Sequence, residues 1–149
     1  MKTFNKWLEN LSQGWELFHG SNSEEFVGQI RANERDSGWF GSGFYLSAIP
    51  SYAKRWGKNV HKMIVPFGKF AKIQVIGNYK EILFGDAEFA NQEAGGQEAF
   101  NDNEHLWSKK FTEALKKQGY DGVRVDFDEH KDVEVVIFDP SKIQVLGKI

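Results

Sequence analysis

A chain of 149 residues, 40% hydrophobic and 27% charged, has the size and balance of one globular domain. A net charge of −2 leaves no basic footprint of the kind that marks a nucleic-acid binder. The absence of cysteine excludes disulfides, thiolate zinc sites and cysteine nucleophiles, and no apolar run approaches the roughly 18 residues that span a bilayer.

Met1 to Trp7 lacks the apolar core of a secretory leader, so a cytoplasmic protein is expected. Residues 3–12 carry Phe4, Trp7, Leu8 and Leu11 on one helical face, with Thr3 as cap and Gly14 as stop, and 1–14 reads as a helical extension of a single domain over 1–149. Trp15 to His19 reads as a strand. A short helix near Glu24–Ile30 and a loop follow, then a strand from Phe44 to Ser47. Pro50 in a first-turn position predicts a helix over Ile49–Trp56. Val60–Pro66 and Phe70–Ile76 read as strands joined by Phe67-Gly68-Lys69, and Tyr79–Ala90 as helical, with Gly95-Gly96 closing a loop. Glu104–Gln118 is the strongest helix, with Leu106, Trp107, Phe111, Ala114 and Leu115 at helical spacing and Gly119 after them. Gly122–Phe127, Val133–Phe138 and Ile143–Leu146 read as closing strands, the first two joined by a turn at Asp128-Glu129-His130-Lys131. Many short strands with helices inserted among them indicate an α+β fold.

Three segments carry candidate chemistry. In Phe18-His19-Gly20-Ser21, a strand runs into a glycine, whose missing side chain lets another group approach the backbone. Its amide and carbonyl can pair with a flat carboxamide, Ser21 can add a third bond, and His19 can reach a ribose hydroxyl. In Gly41-Ser42-Gly43-Phe44-Tyr45-Leu46-Ser47, the glycines precede the strand and no Gly-Lys-Ser/Thr follows, so neither a P-loop nor a dinucleotide-binding fingerprint fits. Tyr45 and Trp56, eleven residues apart across a strand-to-helix turn, can face each other around a flat, electron-poor ring; Tyr52 is the alternative second ring. In Glu134-Val135-Val136-Ile137-Phe138-Asp139, a carboxylate heads an apolar strand, where it is either ion-paired, with Arg124 across the hairpin as partner, or put to use. Asp132 reads either as an acceptor-orienting group or as a hairpin residue in water. His61, in an alternating strand, and His105, on a helix, lack metal spacing, and no metal site is expected.

In order and spacing these segments resemble the ADP-ribosyltransferase superfamily, in the His…Tyr…Glu branch typified by diphtheria toxin and the poly(ADP-ribose) polymerases. His19-Gly20-Ser21 matches the first-strand motif, Gly41-Ser42-Gly43-Phe44-Tyr45 the Gly-x-Gly-x-Tyr strand, Trp56 the second stacking aromatic, usually Tyr, and Glu134 the catalytic glutamate. The Arg…Ser-Thr-Ser…Glu-x-Glu pattern of arginine-specific toxins is absent. Gly119-Tyr120-Asp121-Gly122-Val123 and the run from Glu134 to Ile143 also look like small transferase domains of phage and mobile elements.

The resemblance implies two small, mostly antiparallel sheets packed around an NAD cleft with flanking helices. It implies His19, Tyr45 and Glu134 as catalytic residues, and His19, Gly20, Ser21, Gly43, Tyr45, Ser47 and Trp56 as NAD-binding residues. The chain is then a mono-ADP-ribosyltransferase: NAD is the co-substrate, no metal takes part, and ADP-ribose passes to a macromolecule, protein being favoured over nucleic acid. The expected molecule is a monomer without a membrane partner, acting as an effector, toxin or counter-defence factor. Loops 31–42 and 86–104 are the segments available to read the acceptor. An NAD glycohydrolase, a nucleic-acid ADP-ribosyltransferase and a silent NAD-binding module are the alternatives.

Overall fold

The computed structural model describes residues 14–22, 38–129 and 132–149. The helices expected over 3–12 and near Glu24–Ile30, and His130-Lys131 of the hairpin turn, lie outside the described residues. Strands β1 (Gly14–Ser21), β2 (Phe44–Ser47), β3 (Asn59–Pro66), β4 (Phe70–Ile76), β5 (Glu81–Leu83), β6 (Gly122–Phe127), β7 (Val133–Ile137) and β8 (Gln144–Lys148) form one sheet in the order β5-β4-β6-β7-β2-β1-β3-β8. Helices α1 (Pro50–Ala53), α2 (Glu88–Glu93), α3 (Gly96–Asp102) and α4 (Glu104–Lys117) complete an α+β fold. None of the described helices is long and apolar enough to cross a membrane.

The period-two pattern of the strands sorts side chains into two cores. Ala71, Ile73 and Val75 of β4, with Val123, Val125 and Phe127 of β6, face α4, which returns Trp107, Phe111, Ala114 and Leu115. Asn103 caps α4 by accepting the Leu106 amide at 3.1 Å, Lys116 and Lys117 complement the last-turn carbonyls, and Gly119 leaves the helix at φ 82°. On the opposite face, Leu17, Phe44, Leu46, Met63, Val65, Val135, Ile137 and Ile143 form the second core.

The expected pair of sheets is a single continuous one, but it is nearly divided. β1 runs against β3 for its whole length, from Gly14↔Pro66 to Ser21↔Asn59, whereas β1 and β2 share only the register pair Phe18↔Ser47. The strands Val60–Pro66 and Phe70–Ile76 are sequence neighbours without being partners. β3 pairs with β1 and β8, while β4 pairs in parallel with β6. The expected helix over Tyr79–Ala90 is instead β5, a 3-10 turn over Gly85–Ala87, and the start of α2. Its cause is three successive left-handed residues, Gly77 (φ 61°), Asn78 (φ 53°) and Tyr79 (φ 69°), which turn β4 back into antiparallel β5. Gly95 breaks the chain between α2 and α3 in a left-handed conformation, and Gly96 opens a helix where a loop was expected. The Ile49–Trp56 helix is α1 tightened into a 3-10 turn over Lys54–Trp56, and β1 already begins at Gly14.

Gly20 fixes how α1 seats on β1. A Cβ there would lie 1.9 Å from the Ala53 carbonyl oxygen and 3.0 Å from that of Gly57, so the missing side chain makes room for protein backbone. Gly20→Ala is expected to destabilise the fold by about 2 kcal/mol, in the range for overpacking. Urea unfolding checks this, and an unchanged midpoint would refute the close packing.

Candidate active site

Glu134 lies directly opposite Ser47 across β7 and β2, and Val136 opposite Tyr45. Directly paired residues share a face, so Tyr45, Ser47, Glu134 and Val136 project to the α4 side, and Phe44, Leu46, Val135 and Ile137 to the other. Glu134 is therefore the point where an apolar row ends in a carboxylate. It is only 5% exposed, and Asp132, two residues earlier, is 1% exposed. Asp132 is thus a buried group, not a hairpin residue in water.

One cation serves both acids. Arg55, on the 3-10 turn after α1, brings Nη2 to 3.1 Å from Glu134 Oε2 and 3.3 Å from Asp132 Oδ2. The Ser47 hydroxyl donates to Asp132 Oδ1 at 2.5 Å and accepts the Ile49 amide at 3.1 Å. The guanidinium also stands 4.3 Å from the centre of the Trp56 ring. Two buried carboxylates against one cation leave an excess of negative charge. Burial chiefly, and then the charge of Asp132, push Glu134 up to about 7 against the opposing pull of Arg55. Tyr79 feels the same charges: its phenol is raised by burial first and then by Glu134, with Arg55 opposing.

The aromatic residues adjoin this cluster. Tyr45 is buried, and its hydroxyl donates to the Gly41 carbonyl at 2.7 Å. Trp56 meets it edge to face, with centroids 6.3 Å apart and planes at 68°, rather than as the facing plate expected from the spacing. His19 Nδ1 lies 2.6 Å from the Tyr45 carbonyl, an acceptor only, which assigns the proton to Nδ1. Its ring stacks on Phe44 at 4.0 Å and is nearly parallel to Trp56, at 16° and 6.5 Å. His19 thereby ties the two halves of the sheet together where strand pairing is sparse.

His19, Tyr45, Ser47, Trp56 and Glu134 thus form one chain of contacts through Arg55. Gly20 sits under α1, close to Ser21 and Gly57 at the end of β1. Gly43 is boxed in by β7, since a Cβ would meet Val136 Cγ1 at 2.6 Å and the Ile137 carbonyl oxygen at 2.7 Å. Its loop is strapped to α4: the Ser42 amide donates to Thr112 Oγ1 at 2.8 Å, and the Ser108 hydroxyl to the Gly38 carbonyl at 2.6 Å. Arg124 ion-pairs with Asp126 at 3.3 Å, so the partner of Glu134 is Arg55 and not Arg124. Arg55 is the site residue that sequence reasoning missed; its adjacency to Trp56 was the available signal. Among the described residues, no group of three His, Asp or Glu is placed to hold a metal ion.

No protein-family model matches the chain, and no curated protein matches it. Among solved structures, the crystal structure of an anti-CRISPR protein is similar to it, at 25% identity over 91% of this chain and 97% of that one, with a TM-score of 0.46.

The raised Glu134 carboxyl has a measurable consequence. Its folded-state value of about 7 exceeds the ordinary 4.5, so its stability contribution is complete below pH 4.5 and is lost as pH rises through 7. The full loss is about 3 kcal/mol. Glu134→Gln removes that dependence, so wild type minus variant stability, from urea unfolding at pH 5 and pH 8, should fall by up to that amount. An identical pH dependence in both proteins contradicts the burial of the charge.

Proposed function

We propose that this chain is an ADP-ribosyltransferase that cleaves NAD at the nicotinamide–ribose bond and passes ADP-ribose to a protein. The observation that carries the reading is the buried Glu134, paired with Asp132 under Arg55 and adjoining Trp56, Tyr45 and His19. The residue types and chain order are those of the His…Tyr…Glu resemblance. The near-division of the sheet between β1 and β2 is consistent with a cleft between two half-sheets, which is the architecture that resemblance implies.

Cleaving the glycosidic bond releases neutral nicotinamide, which leaves with the bonding electrons, and positive charge builds on the ribose. A fixed carboxylate beside that sugar is worth more in the transition state than in the ground state. Glu134 has the burial to make that interaction strong, because little water competes for it. Its ionised form is the one that stabilises a cation, and Arg55 keeps that form within reach near neutrality. In the same reading, Tyr45, anchored through its hydroxyl, is the fixed wall of the nicotinamide slot. Trp56, half-buried on a short 3-10 turn, is the wall that shifts to admit the ring.

Nicotinamide release from NAD tests the reading. Glu134→Ala is expected to lower the rate by about 10²–10³ while the fold persists. Wild-type kcat/KM should rise with pH around a midpoint near 7, following ionisation of Glu134. In Arg55→Gln the midpoint should move upward, because the guanidinium is the group holding the value down. Full activity in Glu134→Ala, or a midpoint unmoved in Arg55→Gln, contradicts the assignment.

A further inference from the structure

The left-handed turn after β4 stands beside the acids. Asn78 and Tyr79 both take positive φ, a conformation costly for an aromatic residue and one that persists only where its surroundings impose it. Tyr79 is nevertheless 47% exposed. Its ring meets Phe127 edge to face at 5.8 Å, and the Phe127 amide donates to the Asp132 carbonyl at 3.2 Å. The turn is held from below as well, with the Gly77 amide donating to Asp128 Oδ1 at 3.1 Å. A strained aromatic is thus fixed at the edge of the Asp132–Glu134 cluster.

Tyr79 also lines a mainly polar pocket of ≈ 390 Å³ together with Trp39, Lys80, Glu88, Asn91 and Gln97. Trp39 is anchored there by stacking on Phe100 at 3.6 Å and 13°. Asn91 Oδ1 is buried and has no hydrogen-bond partner among the described residues, an omission that costs stability unless something supplies a donor. Among the described residues lining it, Lys80 and Glu88 balance in charge and give no strong preference for an ion. Aromatic walls, an unanswered acceptor and near-neutrality together select a planar group that carries N–H.

We propose that this pocket is the acceptor subsite of the transferase, and that it takes a planar, N–H-bearing side chain of a protein. The proposal rests on the transferase reading and adds to it where the acceptor sits and what its chemistry is. In the step it serves, the C–N bond to nicotinamide breaks and that ring leaves with the electron pair. The acceptor nitrogen then bonds to the same ribose carbon, and its proton passes to the neighbouring carboxylates and on to water. Protein is favoured over nucleic acid because, among the described residues, Lys80 is the only basic one lining the pocket and Glu88 offsets it.

The experiment incubates wild type, Tyr79→Asn and Asn91→Leu with NAD labelled in its adenosine half and cell lysate. Two quantities are read: nicotinamide released, and label attached to protein or to nucleic acid. Asparagine tolerates the left-handed backbone, so Tyr79→Asn removes the ring without disturbing the turn. The ratio of protein label to nicotinamide released should fall about tenfold or more in each variant, the scale of a lost hydrogen bond or contact. Asn91→Leu should not lower Tm, since its Oδ1 has no partner to lose. An unchanged ratio in both variants overturns the subsite while leaving the transferase reading intact, as does label found on nucleic acid alone. Failure of wild type to release nicotinamide overturns the transferase reading itself, and the subsite with it.

Discussion

Arg55 lies between two carboxylates that have almost no access to water, and the site depends on that contact. Alone, neither Asp132 nor Glu134 has a reason to be buried, because transfer of an ionised carboxylate from water costs several kcal/mol. The shared guanidinium offsets part of that cost, and the Ser47 hydroxyl satisfies one more oxygen of Asp132. The compensation is incomplete by one charge, and the deficit falls on Glu134. In the proposed reaction, incomplete neutralisation of this kind leaves Glu134 able to stabilise the positive charge that builds on the ribose. The same contact links two parts of the fold, since Arg55 comes from the turn after α1 and both acids from the start of β7.

Much of the scaffold was legible because it obeys simple periodicities. The i, i+4, i+7, i+8 spacing of Trp107, Phe111, Ala114 and Leu115 marks α4, and the alternation of Ala71, Ile73 and Val75 with Lys72 and Gln74 marks β4. The segment over Tyr79–Ala90 misled because its apolar residues suit a helix, while its structure follows from backbone conformation at Asn78 and Tyr79, which no hydrophobic pattern encodes. Strand pairing was hidden for a related reason. β3 and β4 are neighbours in sequence, yet β4 finds its partner β6 some fifty residues later, after three helices.

For the site, sequence gave residue types and order, and the structure supplies their partners. Glu134 was legible as a carboxylate out of place in an apolar strand, and the structure places it in the core with a raised carboxyl group. Its cation was not legible, because Arg55 is seventy-nine residues away in the chain and resembles any exposed helical arginine. The glycines show the opposite limit. Gly20 and Gly43 drew attention as places for a ligand, but their missing side chains are filled by the Ala53 carbonyl and by β7. A glycine in a motif therefore records close packing as readily as it records binding, and sequence cannot separate the two.

In the proposed reaction, Glu134 binds the nicotinamide-side ribose of NAD. A crystal structure of the wild-type protein with a non-hydrolysable NAD analogue tests it most directly. The predicted result is a Glu134 carboxylate oxygen at hydrogen-bond distance from a hydroxyl of that ribose, with the nicotinamide ring between Tyr45 and Trp56. An analogue bound elsewhere on the molecule, or none bound at saturating concentration, contradicts it.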